Sequence, residues 1–196
     1  FGTVTRVTTN GADNELETGT NLNGRDLDAF AKIGTVGYGD IDIDESNGKL
    51  FMINVNERRL VVLNVNGTTT TLNNATTATL NPLTNAYSLT TNTGWPAAVG
   101  AGNILRPWGL KIYKGRGYLG VVEDASTTRN FDHLIGYILS FNPNNLNEPF
   151  ITETSFNLNY RTSTNFSLST RWRPWTNSWS TVLTDLGNPS DVPQVY

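Results

Sequence analysis

Cysteine is absent from this chain, and histidine and methionine occur once each. The first absence excludes disulfide bracing, thiolate nucleophiles and Cys-based zinc sites together. A single imidazole, that of His133, cannot by itself assemble a His-rich catalytic centre. Charge is also sparse, at 16% of residues with a net of −3, which gives no long-range pull toward nucleic acid or an anionic membrane. No apolar run approaches the roughly 20 residues of a spanning helix, so membrane insertion is not expected. Gly-rich phosphate loops, nucleophile elbows and paired-His motifs are missing as well, and the expectation is a protein without catalytic activity.

What the chain has in quantity is Thr and Asn, 53 of 196 residues. Thr favours strands and Asn favours turns. Apolar residues alternate or run in short blocks, and long amphipathic helical patterns are missing, so the fold class is all-β. The chain is long enough to bury a core without staples.

The strongest pattern is internal. GYGDIDIDESNGKLFMINVNERRLVVLNVNG (residues 37–67) is answered by RPWGLKIYKGRGYLGVVEDASTTRNFDHLIGYILSFNPN (residues 106–144). Ile41 and Ile43 match Leu110 and Ile112, Phe51 matches Tyr118, and Val62-Leu63 fall on Ile138-Leu139. Matched two-residue rhythms imply matched buried faces. The expected core is therefore Ile41, Ile43, Phe51, Ile53, Leu63 and Val65, with Leu110, Ile112, Tyr118, Leu139 and Phe141.

A repeat of this length suits one four-stranded antiparallel blade of a β-propeller with an insertion. The expected organisation is one propeller-like domain over 1–196. Residues 1–24 end a preceding blade, 30–72 form a first full blade and 73–105 a long loop. Residues 106–160 form a second full blade, and 161–196 lead toward a further one. Two full blades and two partial ones do not close a ring of about four to eight. With Phe1 at its start and an alternating FGTVTRVTT opening, the chain reads as an internal piece of something longer.

Within each unit the connections 73–105, 123–133 and 161–182 are long. Alternating strand directions send them all to one end, where long loops on a rigid scaffold commonly bind. Three groups of residues carry the candidate chemistry. Asp40, Asp42 and Asp44 share a strand face and offer oxygen ligands for Ca²⁺, although the EF-hand spacing fails at Glu45 and Phe51. The competing reading is a polar strand end. Asp124 and Arg129, in EDASTTRNFDH, could hold a polar ligand, or their loop could satisfy its own backbone. Trp172, Trp175 and Trp179, in RWRPWTNSW, could stack on a glycan, or could wedge into packing. Asn66, Asn74 and Asn165 head N-glycosylation acceptor triplets, which matter only in a eukaryotic secretory context.

The succession AFAKIGTVGYGDIDIDESNGKLFMINVNERRLVVLNV, RPWGLKIYKGRGYLGVVEDASTTRN and RPWTNSWS resembles the propeller region of large bacterial cell-surface proteins. In that family it is often followed by adhesin-type B-repeat modules. The resemblance implies export, a surface location and interaction with other protein chains, a glycan or the rest of the same propeller. It carries over no catalytic residues. The family often has Cys just before the Asp124-Ala125-Ser126 segment; Glu123 stands there in this chain. The alternative function is a propeller enzyme of lactonase, hydrolase or polysaccharide-lyase type with a central metal. Ligands in blades beyond this chain would favour it.

Overall fold

The computed structural model describes residues 37–65, 86–160 and 172–176. These form eight strands and one short 3-10 turn, Phe131–His133. Strands β1 (Tyr38–Asp44), β2 (Lys49–Asn54), β3 (Arg59–Asn64) and β4 (Ala86–Ser88) make one antiparallel meander. Strands β5 (Leu105–Tyr113), β6 (Arg116–Asp124), β7 (Leu134–Phe141) and β8 (Ile151–Asn157) make a second. The all-β expectation holds.

The tight turns follow from local chemistry. Asp44 accepts from the backbone N–H groups of Ser46 and Asn47, which closes the β1–β2 turn, and Gly48 supplies a positive φ of 58°. In the second sheet Lys114 and Gly115 both adopt positive φ, the two-residue hairpin geometry that matches strand twist.

The two sheets share a register in their first two strands. Tyr38, Ile41, Asp42 and Ile43 pair with Asn54, Met52, Phe51 and Leu50. Pro107, Leu110, Lys111 and Ile112 pair with Val121, Leu119, Tyr118 and Gly117. Each pairing carries an irregularity at the same place, just before Ile41 and just before Gly109. The third strand departs from the sequence alignment. Phe51 pairs with Val62 and Tyr118 pairs with Ser140, so by register Val62 answers Ser140 rather than Ile138. A slip of two residues leaves every side chain on the same face, which is why alternation alone could not reveal it.

The fourth strand of the first sheet also differs from expectation. Asn66-Gly67 has the composition of a hairpin turn, which would place the fourth strand directly after it and complete the blade by residue 72. The partner of β3 is instead Ala86–Ser88, inside the stretch 73–105 that was expected to be a loop. Val65 N–H donates to Gly48 C=O, so the chain leaves β3 beside the β1–β2 turn. The long 65–85 connection thus departs from the end opposite to the other long loops. After β4 the chain turns inward. Leu89 is fully buried, and Asn92 accepts from Phe150 N–H while donating to Glu148 C=O, which pins this segment to the second sheet.

The core lies between the sheets. Phe51, Ile53 and Leu60 of the first meet Leu110, Leu119, Leu139 and Phe141 of the second, with the Phe51 and Phe141 rings 6.2 Å apart. Leu63, Val65 and Tyr118 are half-buried, and the remaining core expectations hold except two. Ile41 and Ile43 are exposed, at 52% and 43%. The reason is a demand from the neighbouring strand. β1 turns Asp40 and Asp42 toward β5, whose free edge would otherwise present unpaired N–H groups. Asp40 accepts from Leu110 N–H at 3.0 Å, and Asp42 accepts from Ile112 N–H. Lys111 adds an ion pair to Asp42 at 3.1 Å. With the acids facing the junction, alternation sends the isoleucines outward.

Burial pushes the Asp42 carboxyl up, but the hydrogen bonds from Ile112, Lys111 and Ile43 and the Lys111 charge together outweigh it and hold it below its ordinary 3.8. Asp44 is likewise lowered: bonds from Asn47 and Ser46 overcome burial. A depressed carboxylate stabilises the fold fully above its unfolded value and loses that contribution as pH falls through its folded value. Urea unfolding should therefore show stability dropping below about pH 4, with the drop smaller in Asp42→Asn. At neutral pH, Asp42→Ala should cost about 1–3 kcal/mol by stranding the Ile112 amide. An unchanged unfolding midpoint would show that the bridge is not needed.

Candidate functional platform

The second sheet ends in two adjacent acids. Glu123 pairs opposite Leu105 at the last ladder positions of β5 and β6, and Asp124 follows. A single exposed acid here would need no explanation; two buried ones do.

Glu123 is fully buried and organises the connection entering β5. Its Oε2 accepts from Val99 N–H at 2.9 Å, and its Oε1 accepts from Gly100 N–H and Asn103 Nδ2, both at 2.8 Å. The Tyr137 hydroxyl also bonds to this carboxylate; burial, then the Glu123 charge and that bond, raise the phenol above its ordinary value. Asn103 relays the order outward: its Oδ1 accepts from Thr127 and Thr128 N–H at 3.3 and 3.1 Å. Thr128 Oγ1 lies 3.0 Å from His133 Nδ1. Gly100 sits against Asn103 and His133, and a Cβ there would run into both side chains.

Asp124 does the same for the segment 172–176. Its Oδ1 accepts from Ile104 and Ser126 N–H at 3.0 and 2.9 Å. Its Oδ2 meets Arg106 Nε at 2.7 Å, with both side chains nearly buried. Charge-assisted bonds of this kind are among the stronger ones available. The Arg106 guanidinium then lies over Trp175 at 4.8 Å, and Trp175 packs on Trp108 at 5.9 Å. Trp175 N–H donates to Asp124 C=O at 2.8 Å. Arg129, turned by its own φ of 55°, donates to the carbonyls of Pro174 and Trp175 at 3.1 and 2.9 Å.

The described parts of three connections, 99–104, 125–133 and 172–176, are thereby knitted into one platform. Of the residues expected to bind a ligand, Asp124, Arg129 and Trp175 are brought together, but as the platform's internal clamps. Trp172 remains exposed at 47%, and Trp179 lies outside the described residues. Asp40, Asp42 and Asp44 do not converge: two bridge to β5 and the third caps its turn. Among the described residues no cluster of three or more acidic or histidine side chains could hold a metal.

Sequence reasoning missed Glu123, Asn103 and Gly100. The one available signal was a pair of acids ending an apolar strand and followed by Ala-Ser-Thr-Thr, a composition suited to side chains that bind backbone. Compared with protein-family models, curated proteins and solved structures, the chain matches none.

Replacing Glu123 by Ala should leave Val99 N–H, Gly100 N–H and the Asn103 amide without their acceptor, at a cost of at least about 2 kcal/mol. Hydrogen exchange should report faster exchange at Val99 and Gly100 while the strand amides of Tyr118 to Val122 stay protected. Uniformly faster exchange would mean Glu123 supports the whole sheet rather than this platform.

Proposed function

We propose that this chain is part of a non-catalytic interaction module of a cell-surface or extracellular protein, with propeller-like blades presenting the platform to a partner. The observation that carries the reading is the fastening of three separate connections by side chains buried beneath them. Such pre-ordering lowers the entropic cost of binding, as expected of a recognition surface held on a rigid scaffold.

Two further features support it. β1 and β5 run side by side in the same direction, since Asp40 reaches Leu110 and Asp42 reaches Ile112. That is the relation between the innermost strands of neighbouring blades in a propeller, and the shared registers accord with two copies of one blade. The platform's charged groups Glu123, Asp124 and Arg129 are engaged in internal bonds that hold backbone. They are positioned as struts rather than as acids or bases facing a substrate.

Trp172 is the residue best placed to touch a partner. An indole exposes a broad, flat surface with little rotamer entropy to lose, which suits a sugar face or an apolar anchor on a protein. The purified chain should bind members of a panel of surface polysaccharides and matrix proteins. Trp172→Ala should weaken that binding about tenfold or more, without loss of stability. Arg129→Ala should weaken it by loosening the 172–176 segment. Binding to the panel that neither substitution alters would refute the platform as the contact surface.

A further inference from the structure

Asparagine followed by glycine is among the least durable pairs of residues in a polypeptide. Glycine lacks the β-carbon that otherwise shields its nitrogen, so that nitrogen attacks the asparagine Cγ readily and ammonia leaves. The chain contains four such pairs, at 10–11, 23–24, 47–48 and 66–67. Asn47-Gly48 lies among the described residues, in the turn between β1 and β2, where Asn47 is exposed and Gly48 has a positive φ of 58°.

That turn does not leave the Asn47 side chain idle. Its Nδ2 donates to Asp44 Oδ2 at 2.7 Å and to Ser46 Oγ at 3.2 Å. The other oxygen of Asp44 takes the Ser46 hydroxyl at 2.6 Å and the Asn47 N–H at 3.3 Å. Burial pushes the Asp44 carboxyl up, but the bonds from Asn47 and Ser46 outweigh it, so a carboxylate faces Nδ2 at neutral pH. A carboxylate that accepts from Nδ2 feeds electron density into the amide and makes its carbon a poorer electrophile. The charge-assisted bond also has to be given up before the nitrogen can depart. The leaving group is therefore held by the residue that closes the turn.

We propose that Asn47 is a site of self-modification and that Asp44 sets its rate. The proposal goes beyond the interaction reading and depends on neither the platform nor the blades. When the clamp opens, the Gly48 nitrogen bonds to Asn47 Cγ and the Cγ–Nδ2 bond breaks. The side-chain nitrogen leaves as ammonia, taking up the proton of the Gly48 amide. One water then opens the five-membered imide. Opening at one carbonyl leaves aspartate at 47; opening at the other leaves isoaspartate, with the main chain routed through the former side-chain carbon. Aspartate sets a second carboxylate where a donor had faced buried Asp44, and like charges so placed repel. Isoaspartate lengthens the main chain of a tight turn by one methylene. Neither product can close the turn as before. The neighbours carry the change further, because Gly48 C=O accepts from Val65 N–H at 2.7 Å and Lys49 reaches Asn144 of the second sheet at 3.3 Å. A one-way change in this turn is felt at the exit of β3 and at the border between the sheets.

The intact chain and a peptide of residues 40–55 would be held in mildly alkaline buffer, with conversion at each Asn-Gly pair followed by peptide mapping and mass spectrometry. Asn47 should convert several-fold more slowly in the chain than in the peptide. Asp44→Ala should raise the rate in the chain several-fold. Asp44→Asn, which keeps an acceptor without the charge, should raise it less. Rates at Asn10, Asn23 and Asn66 should stay as they are in the unaltered chain. Asn47→Asp should reproduce the product, with a lower unfolding midpoint at neutral pH. Conversion of Asn47 as fast in the chain as in the peptide overturns control by Asp44, as does a rate unmoved by Asp44→Ala. A rise at all four pairs in both Asp44 variants would mean that Asp44 holds the fold and not this amide. An Asn47 that stays intact in the Asp44→Ala chain overturns the site itself.

Discussion

Two consecutive carboxylates buried at the end of β6 are the constraint on which the platform of connections depends. A buried charge is tolerable only when hydrogen bonds surround it. Glu123 obtains them from the connection before β5, and Asp124 from Arg106, Ile104 and Ser126. Because successive side chains of a strand point to opposite faces, the pair acts on both sides of the sheet. Glu123 holds the 99–103 connection on the core-facing side. Asp124 works with Arg106 on the other side, where Trp175 lies. One dipeptide thus sets the position of two connections far apart in sequence.

The joint between sheets uses the same device. Asp40 and Asp42 each take one amide from their own strand and one from β5. Two strand edges are satisfied without adding a strand between them, and the sheets are left free to pack their apolar faces. In both places an acid binds main chain. Asp40, Asp42, Glu123 and Asp124 thus stand where backbone donors would otherwise lack acceptors.

How much of this was legible depended on whether periodicity carried it. The meander of β1 to β3 and of β5 to β8, the tight turns and the buried Phe51, Ile53, Leu110 and Leu139 follow from alternation and turn residues. Ile41 and Ile43 were misjudged because alternation names two faces without saying which one meets the neighbour; that choice was made by β5's amides, 70 residues away. β4 was missed because three residues, Ala-Tyr-Ser, carry too little pattern to compete with an Asn-Gly turn signal. Within the platform, the residues singled out by the sequence are the ones that hold it, in line with the backbone-binding and packing readings set beside ligand binding for them. Asp124, Arg129 and Trp175 do come together, and only long-range contacts reveal how: Asp124 holds Ile104, Ser126 and Arg106, its carbonyl takes the Trp175 amide, and Arg129 binds the Pro174 and Trp175 carbonyls.

That grip on main chain has a consequence for how the surface can change. Glu123 binds the amides of Val99 and Gly100, while the Val99 side chain is exposed at 60%. Arg129 binds the carbonyls of Pro174 and Trp175, while Trp172 stands exposed beside them. Amides and carbonyls are common to nearly every residue, so the outward side chains can be exchanged without removing what holds the connections. Only a few positions resist exchange: Gly100, where a Cβ would collide, and Asn103, which both donates to Glu123 and accepts from 127 and 128. If the platform serves the interaction proposed above, a surface built this way separates the residues that fix its shape from those that would meet a partner. Under that proposal, recognition could be retuned through exposed side chains while the buried acids keep the frame.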